Sequence, residues 1–82
     1  MERSEVIHVI NQFLIDEIEV EENQIKEDAR LKEDLGIDSL DFVDVVVIVE
    51  REFGFKIKAE EMANVRTLSD FYNYISDKVS QK

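Results

Sequence analysis

The chain contains no proline and only two glycines, Gly36 and Gly54, in 82 residues. A many-stranded sandwich or barrel needs a turn every few residues, and turns draw heavily on those two residue types. Their scarcity leaves helices joined by a few connections as the architecture this chain can reach. At this length there is room for one hydrophobic core, so residues 1–82 are expected to form a single domain. A core of that size leaves a net stability of roughly 3–5 kcal/mol.

The last third carries the clearest helical period. Leu68, Phe71, Tyr72, Ile75 and Val79 recur at i, i+3, i+4, i+7 and i+11, the spacing of one helix face. Thr67 stands as its N-cap, with Asp70 at the capping-box position. At the other end of the chain, Ser4 to Glu19 places Ile7, Ile10, Leu14 and Ile18 at similar spacing, with Val6 and Phe13 beside them. Ser4 reads as the cap of this first helix, and Glu17 and Glu19 as part of its wet side. Between Val20 and Ile37 no period is sustained. A connection that long is usually functional or pinned by a few buried side chains, here Val20, Ile25, Leu31, Leu35 and Ile37. Lys56 to Arg66 is a second connection, with a short helical piece around Glu60 to Ala63.

Asp38 to Phe53 is the segment that bears on function. Val45, Val46, Val47, Ile48 and Val49 form a β-branched run with strand propensity. The flanks and the length specify a helix instead. Asp38 can cap it, Asp41 sits three residues on as in a short-armed capping box, and Gly54 is a C-terminal stop. On a helical projection Phe42, Val45, Val46, Val49 and Phe53 share the core side. Leu40, Val43 and Val47 fall on the opposite side with Asp44, Glu50 and Arg51. Three apolar residues surplus to the core, edged with charge, mark a protein-binding surface, although scattered surface hydrophobes are also normal. Ser39 stands in the first turn, where free N–H groups and the helix dipole favour an attached phosphate. Taken without its neighbours, a serine at a helix start is better read as a simple cap.

The neighbours are informative. Asp34-Leu35-Gly36-Ile37-Asp38-Ser39-Leu40-Asp41 resembles the phosphopantetheine attachment signature of acyl carrier proteins. The acid at Asp44, the aliphatic helix ending in Glu50 to Phe53 and the closing helix begun by Thr67-Leu68 match as well. The resemblance covers nearly the whole chain and implies an all-α, four-helix bundle with a short third helix. It implies that Ser39 receives 4′-phosphopantetheine from coenzyme A through a Mg²⁺-dependent phosphopantetheinyl transferase, and that the arm's thiol carries acyl groups as thioesters. It further implies that Asp38, Asp41, Asp44 and Glu50 meet basic patches on the transferase, on ketosynthases and on other acyl-processing enzymes. Leu40, Val43 and Val47 are the implied apolar contacts. Phe42, Val46 and Ile75 become candidate liners of an acyl pocket. Arg51 departs from the family, whose helices commonly carry another acid there, and so joins the partner-selecting residues. Phe42, the heavy valine run, Tyr72 and Tyr74 depart too. Primary fatty acid synthesis and a specialised route, polyketide-like or aryl-polyene-like, both stand open.

Other functions meet specific obstacles. Gly36-Ile37-Asp38-Ser39-Leu40 partly resembles the Gly-Asp-Ser-Leu block of certain lipases, but Ile37 interrupts it and the scaffold is far too short. With no cysteine and His8 as the single histidine, catalytic triads and thiolate or histidine zinc sites have no residues to build on, so no enzyme is expected. Asp34, Asp38, Asp41 and Asp44 do not follow calcium-loop spacing. A peptidyl carrier more often has another residue where Asp38 stands. A plain interaction module with no prosthetic group would share these helices and differ only in the fate of Ser39.

Twenty acidic residues against ten basic ones give a formal charge of −10. Such a surface repels nucleic acid and anionic lipid, steers the chain toward basic partner proteins, and favours a monomer. Residues 1–20 show no signal-peptide pattern, so a cytoplasmic location is expected. Self-repulsion at this charge has a measurable consequence. Moderate NaCl or millimolar divalent cations are expected to raise the melting temperature; a value flat or falling with added salt contradicts it.

Overall fold

In the computed structural model, which describes residues 2–80 and only the main chain of Ser39, Ala59 and Ser80, the order is helical throughout. The elements are α1 (Arg3–Asp16), a single 3-10 turn (Glu22–Gln24), α2 (Ser39–Phe53), α3 (Ala59–Met62) and α4 (Leu68–Ser80). This is the expected four-helix architecture with a one-turn third helix. None of the described helices is long and apolar enough to cross a membrane.

One continuous core is built from the inward faces of α1, α2 and α4 and from the connections. The α4 stripe is buried along its whole length, with Leu68 and Ile75 fully enclosed. α1 packs against α4 and contributes Val6, Ile10, Phe13 and Leu14, while Ile7 and Ile18 are only partly covered. The buried face of α2 is Val45, Ile48, Val49 and Phe53, flanked by the half-buried Phe42 and Val46. Ile48 is thus a core residue that the helical projection left out. At the α1–α4 seam the Tyr72 hydroxyl donates to Asn11 Oδ1 and Arg3 donates to Asn73 at 2.7 Å.

The helix ends show which local rules hold. At α4, the Asp70 N–H donates to Thr67 Oγ1 (3.2 Å) and Asp70 Oδ2 accepts the Thr67 N–H (3.3 Å), the expected reciprocal box. At α2, Asp38 Oδ1 accepts from the Leu40 and Asp41 N–H groups, at 2.9 and 3.0 Å. Asp41, at the corresponding position of α2, makes no reciprocal bond to the Asp38 N–H, so this cap is one-sided. Gly54 ends α2 in the left-handed region at φ 79°, its N–H bonded to the Glu50 carbonyl. At α1 the expectation of a Ser4 cap is corrected: the helix starts at Arg3 after Glu2, without a side-chain cap. It also stops at Asp16 rather than Glu19, since Glu19 adopts φ 66° and the Val20 N–H turns back to the Leu14 carbonyl at 2.8 Å. The short helix begins at Ala59, one residue before its sequence-based bound.

The long connection is tied down more firmly than its composition suggests. Val20, Leu35 and Ile37 are buried as expected, Ile25 and Leu31 partly so, and Ala29 adds a further buried contact. Main-chain bonds also join it to the segment that starts α4. The Leu31 N–H donates to the Arg66 carbonyl (2.9 Å), Leu68 to Ala29 (2.8 Å) and Ser69 to Glu27 (2.9 Å). The Ile37 N–H closes back on Leu31 at 2.9 Å, which delivers the chain to Asp38.

Two outcomes follow for stability. Thr67→Ala is expected to lose about 1 kcal/mol in chemical denaturation, the usual cost of an N-cap. The N–H groups of Thr67 and Arg66 hold the Asp70 carboxyl below its ordinary range, so the unfolded chain takes up that proton first and the contribution disappears as pH falls through the folded value. The stability gap between the parent and Asp70→Ala is therefore expected to be full at neutral pH and to close in acid; a gap independent of pH contradicts the box.

Candidate functional site: the start of α2 and its two flanks

The N-terminus of α2 is where the local chemistry converges. Gly36 holds φ 70°, and a Cβ built there would meet nothing within 4 Å, so it is the backbone conformation and not space that calls for glycine. Buried Leu35 and Ile37 bracket it and fix the direction from which the chain enters the helix. Asp38 spends its carboxylate on the first-turn N–H groups. The Ser39 main chain opens α2 immediately after; its side chain, named above as the attachment point, lies outside the described residues.

Along α2 the outward face is apolar at its centre. Leu40, Val43 and Val47 are 77%, 60% and 58% exposed, the stripe expected from the projection. Asp44 and Glu50 are exposed around it and Asp41 is half-buried at its edge. Arg51 closes the far end, where its Nη2 meets Glu17 Oε2 at 2.5 Å and its Nε meets Glu52 at 3.2 Å. The pairing with Glu17, then with Glu52, raises its pKa further. Its charge is thus balanced inside the fold, clasping the end of α1 to the end of α2.

On the other flank a groove of about 840 Å³ opens beside Ile37 and Asp38. Leu31, Phe42, Met62 and Val65 give it apolar walls, and Arg30, Lys32 and Arg66 a basic rim. Phe42 is a liner as expected, whereas Val46 and Ile75 are not, Ile75 being sealed in the core. Met62, Val65 and the rim cations carry no periodic signal in the sequence. They meet only because the connection of residues 27–31 is bonded to residues 66–69. The wall bearing Met62 is held by a clasp between α3 and α4: Glu61 accepts from Lys78 Nζ (2.9 Å) and from the Tyr74 hydroxyl (3.1 Å), and Lys78 lies over the Tyr74 ring. Lys78 holds the Glu61 carboxyl below its ordinary range, and partial burial pushes the Tyr74 phenol up.

The family described as "Phosphopantetheine attachment site" matches residues 8–75. Over 77 residues the chain is 36% identical to the acyl carrier protein of Thermotoga maritima, covering 94% of this chain and 95% of the relative. The acyl carrier proteins of Thermosynechococcus vestitus and Petrotoga mobilis are 32% and 31% identical, each over 80 residues and 98% of this chain, with 99% and 94% of those relatives covered. The chain belongs to the acyl carrier proteins. Its function is carriage of acyl groups, and its prosthetic group is a covalently attached phosphopantetheine. The geometry suits such a group: a capped helix start, a groove of about 840 Å³ beside it, and an apolar lining interspersed with cations.

The cap is the testable element of this carrier's site. Asp38→Ala is expected to cost about 1 kcal/mol in chemical denaturation, and Asp38→Asn much less, since the amide oxygen accepts the same N–H groups. Equal losses would contradict the capping role.

Proposed function

We propose that Ser39 bears the 4′-phosphopantetheine and that the exposed face of α2 receives the enzymes that load and process the cargo. The observation that carries this reading is the capped start of α2 within Asp34–Asp41, beside an apolar stripe that the core does not use. Leu40, Val43 and Val47 supply the buried centre of such an interface, and Asp38, Asp41, Asp44 and Glu50 its charged rim. The charge of −10 suits phosphopantetheinyl transferases, ketosynthases and other acyl-processing enzymes that present basic patches. Arg51, already paired to Glu17, softens the acidic rim at one end and so selects among such partners.

In the loading step the Ser39 hydroxyl forms a phosphoester bond to the β-phosphorus of coenzyme A. The pyrophosphate bond breaks and adenosine 3′,5′-bisphosphate leaves. A serine hydroxyl is a weak nucleophile without a base, and the single histidine, His8, lies in α1; deprotonation therefore falls to the transferase with its Mg²⁺. The group's thiol supplies thioester chemistry, and the chain's own part is to present it, not to catalyse. A monomer in the cytoplasm is the state this reading calls for.

Intact mass after incubation with coenzyme A, Mg²⁺ and a broad-specificity transferase tests the reading. The parent is expected to gain one phosphopantetheine and Ser39→Ala none. A gain in Ser39→Ala, or none in a folded parent, overturns it. Val43→Asp is expected to lower the loading kcat/KM by about ten-fold at unchanged melting temperature, as for a residue at an interface centre.

A further inference from the structure

The groove beside α2 has a rim whose charge runs against the rest of the molecule. Acids outnumber bases two to one in the chain, yet the groove is lined by three bases, Arg30, Lys32 and Arg66, and two acids, Glu33 and Asp38. Both acids are engaged: Asp38 accepts the N–H groups of α2, and Glu33 pairs with Arg30 at 3.0 Å. Asp70 stands near Arg66, but its Oδ2 accepts the main-chain N–H groups of Arg66 and Thr67. Among the described residues neither the Lys32 ammonium nor the Arg66 guanidinium has an ion-pair partner. The two cations come from different segments, one in the long connection and one before α4, brought together by the Leu31–Arg66 main-chain bond. The groove's other lining residues include the apolar Ile37, Phe42, Met62 and Val65.

An apolar groove whose lining also carries Lys32 and Arg66, neither held in a salt bridge although Arg66 is near the Asp70 carboxylate, is complementary to an amphiphile with an aliphatic stem and a terminal anion. Resting on the reading that Ser39 bears the arm, we propose that the groove favours acyl groups ending in a carboxylate, the half-thioesters of dicarboxylic acids, over plain fatty acyl groups of equal length. Lys32 and Arg66 are the specificity-determining residues. Both are exposed, so the preference has the size of surface ion pairs: a few-fold, and weakened by salt.

The test loads the protein from octanoyl-coenzyme A and from suberoyl-coenzyme A with a broad-specificity transferase, intact mass confirming each product. Cleavage of each thioester by hydroxylamine is then timed and normalised to the same acyl group on free pantetheine. Backbone amide shifts are recorded for residues 30–33 and 63–67. The suberoyl form is expected to be cleaved about three-fold more slowly than the octanoyl form and to shift the rim amides, and both effects are expected to vanish in Lys32→Gln/Arg66→Gln. Equal lifetimes overturn the proposal, as does a difference that survives in the double variant. Rim shifts already complete in the cargo-free phosphopantetheine form overturn it too, because the anion held would then be the arm's own phosphodiester. Failure to gain mass with either donor marks the Ser39 reading itself as the fault, and loading without discrimination marks the cargo inference.

Discussion

The main-chain bonds between residues 27–31 and 66–69 are the constraint on which the site depends. A long connection between two helices carries donors and acceptors that must be paired where it is covered, and left to itself it would hold the start of α2 on a slack tether. Antiparallel bonding to the stretch before α4 removes that freedom over its second half. Ala29, Leu35 and Ile37 then anchor it in the core, and Asp38 converts the arriving strand-like backbone into a capped helix. The same bonds place Lys32 and Arg66 at one groove. The position of the start of α2 and the shape of the groove beside it therefore have one origin.

α2 is apolar on two sides, and the two sides do different work. Val45, Ile48, Val49 and Phe53 are covered by the bundle, while Leu40, Val43 and Val47 stay in water. The bundle's own core makes no use of the second stripe, which is why the proposed function assigns it to partner proteins. On that reading the surrounding acids would make binding dependent on charge, favouring fast encounter over tight holding.

Much of this was legible in the residues, for reasons particular to each element. The α4 stripe was readable because its five apolar positions are separated by polar ones and Thr67 with Asp70 marks the start. In α2 the five-residue β-branched run puts an apolar side chain on every face, so periodicity could not single out Ile48, and the helix was recognisable from its length and its flanks, Asp38, Asp41 and Gly54. The ends of α1 were misplaced because Ser4 is a good cap residue that the chain does not use, and Ile18 continues the apolar period past a backbone reversal at Glu19. The groove was not readable at all. Main-chain bonds across distant segments leave no side-chain signature, and Met62, Val65 and the rim cations belong to no repeating pattern. Arg51 looked like a free charge on the partner face because Glu17, its counter-ion, lies on the connection leaving α1.

The location of the prosthetic group is the claim on which the function at this site rests, and the spacing of basic residues makes it directly measurable. Tryptic cleavage after Lys32 and Arg51 releases residues 33–51, in which Ser39 is the sole hydroxyl-bearing side chain. Tandem mass spectrometry of the loaded protein is expected to find the phosphopantetheine on that peptide and to assign it to Ser39. A loaded protein whose peptide 33–51 is unmodified, with the group on another fragment, would contradict the assignment.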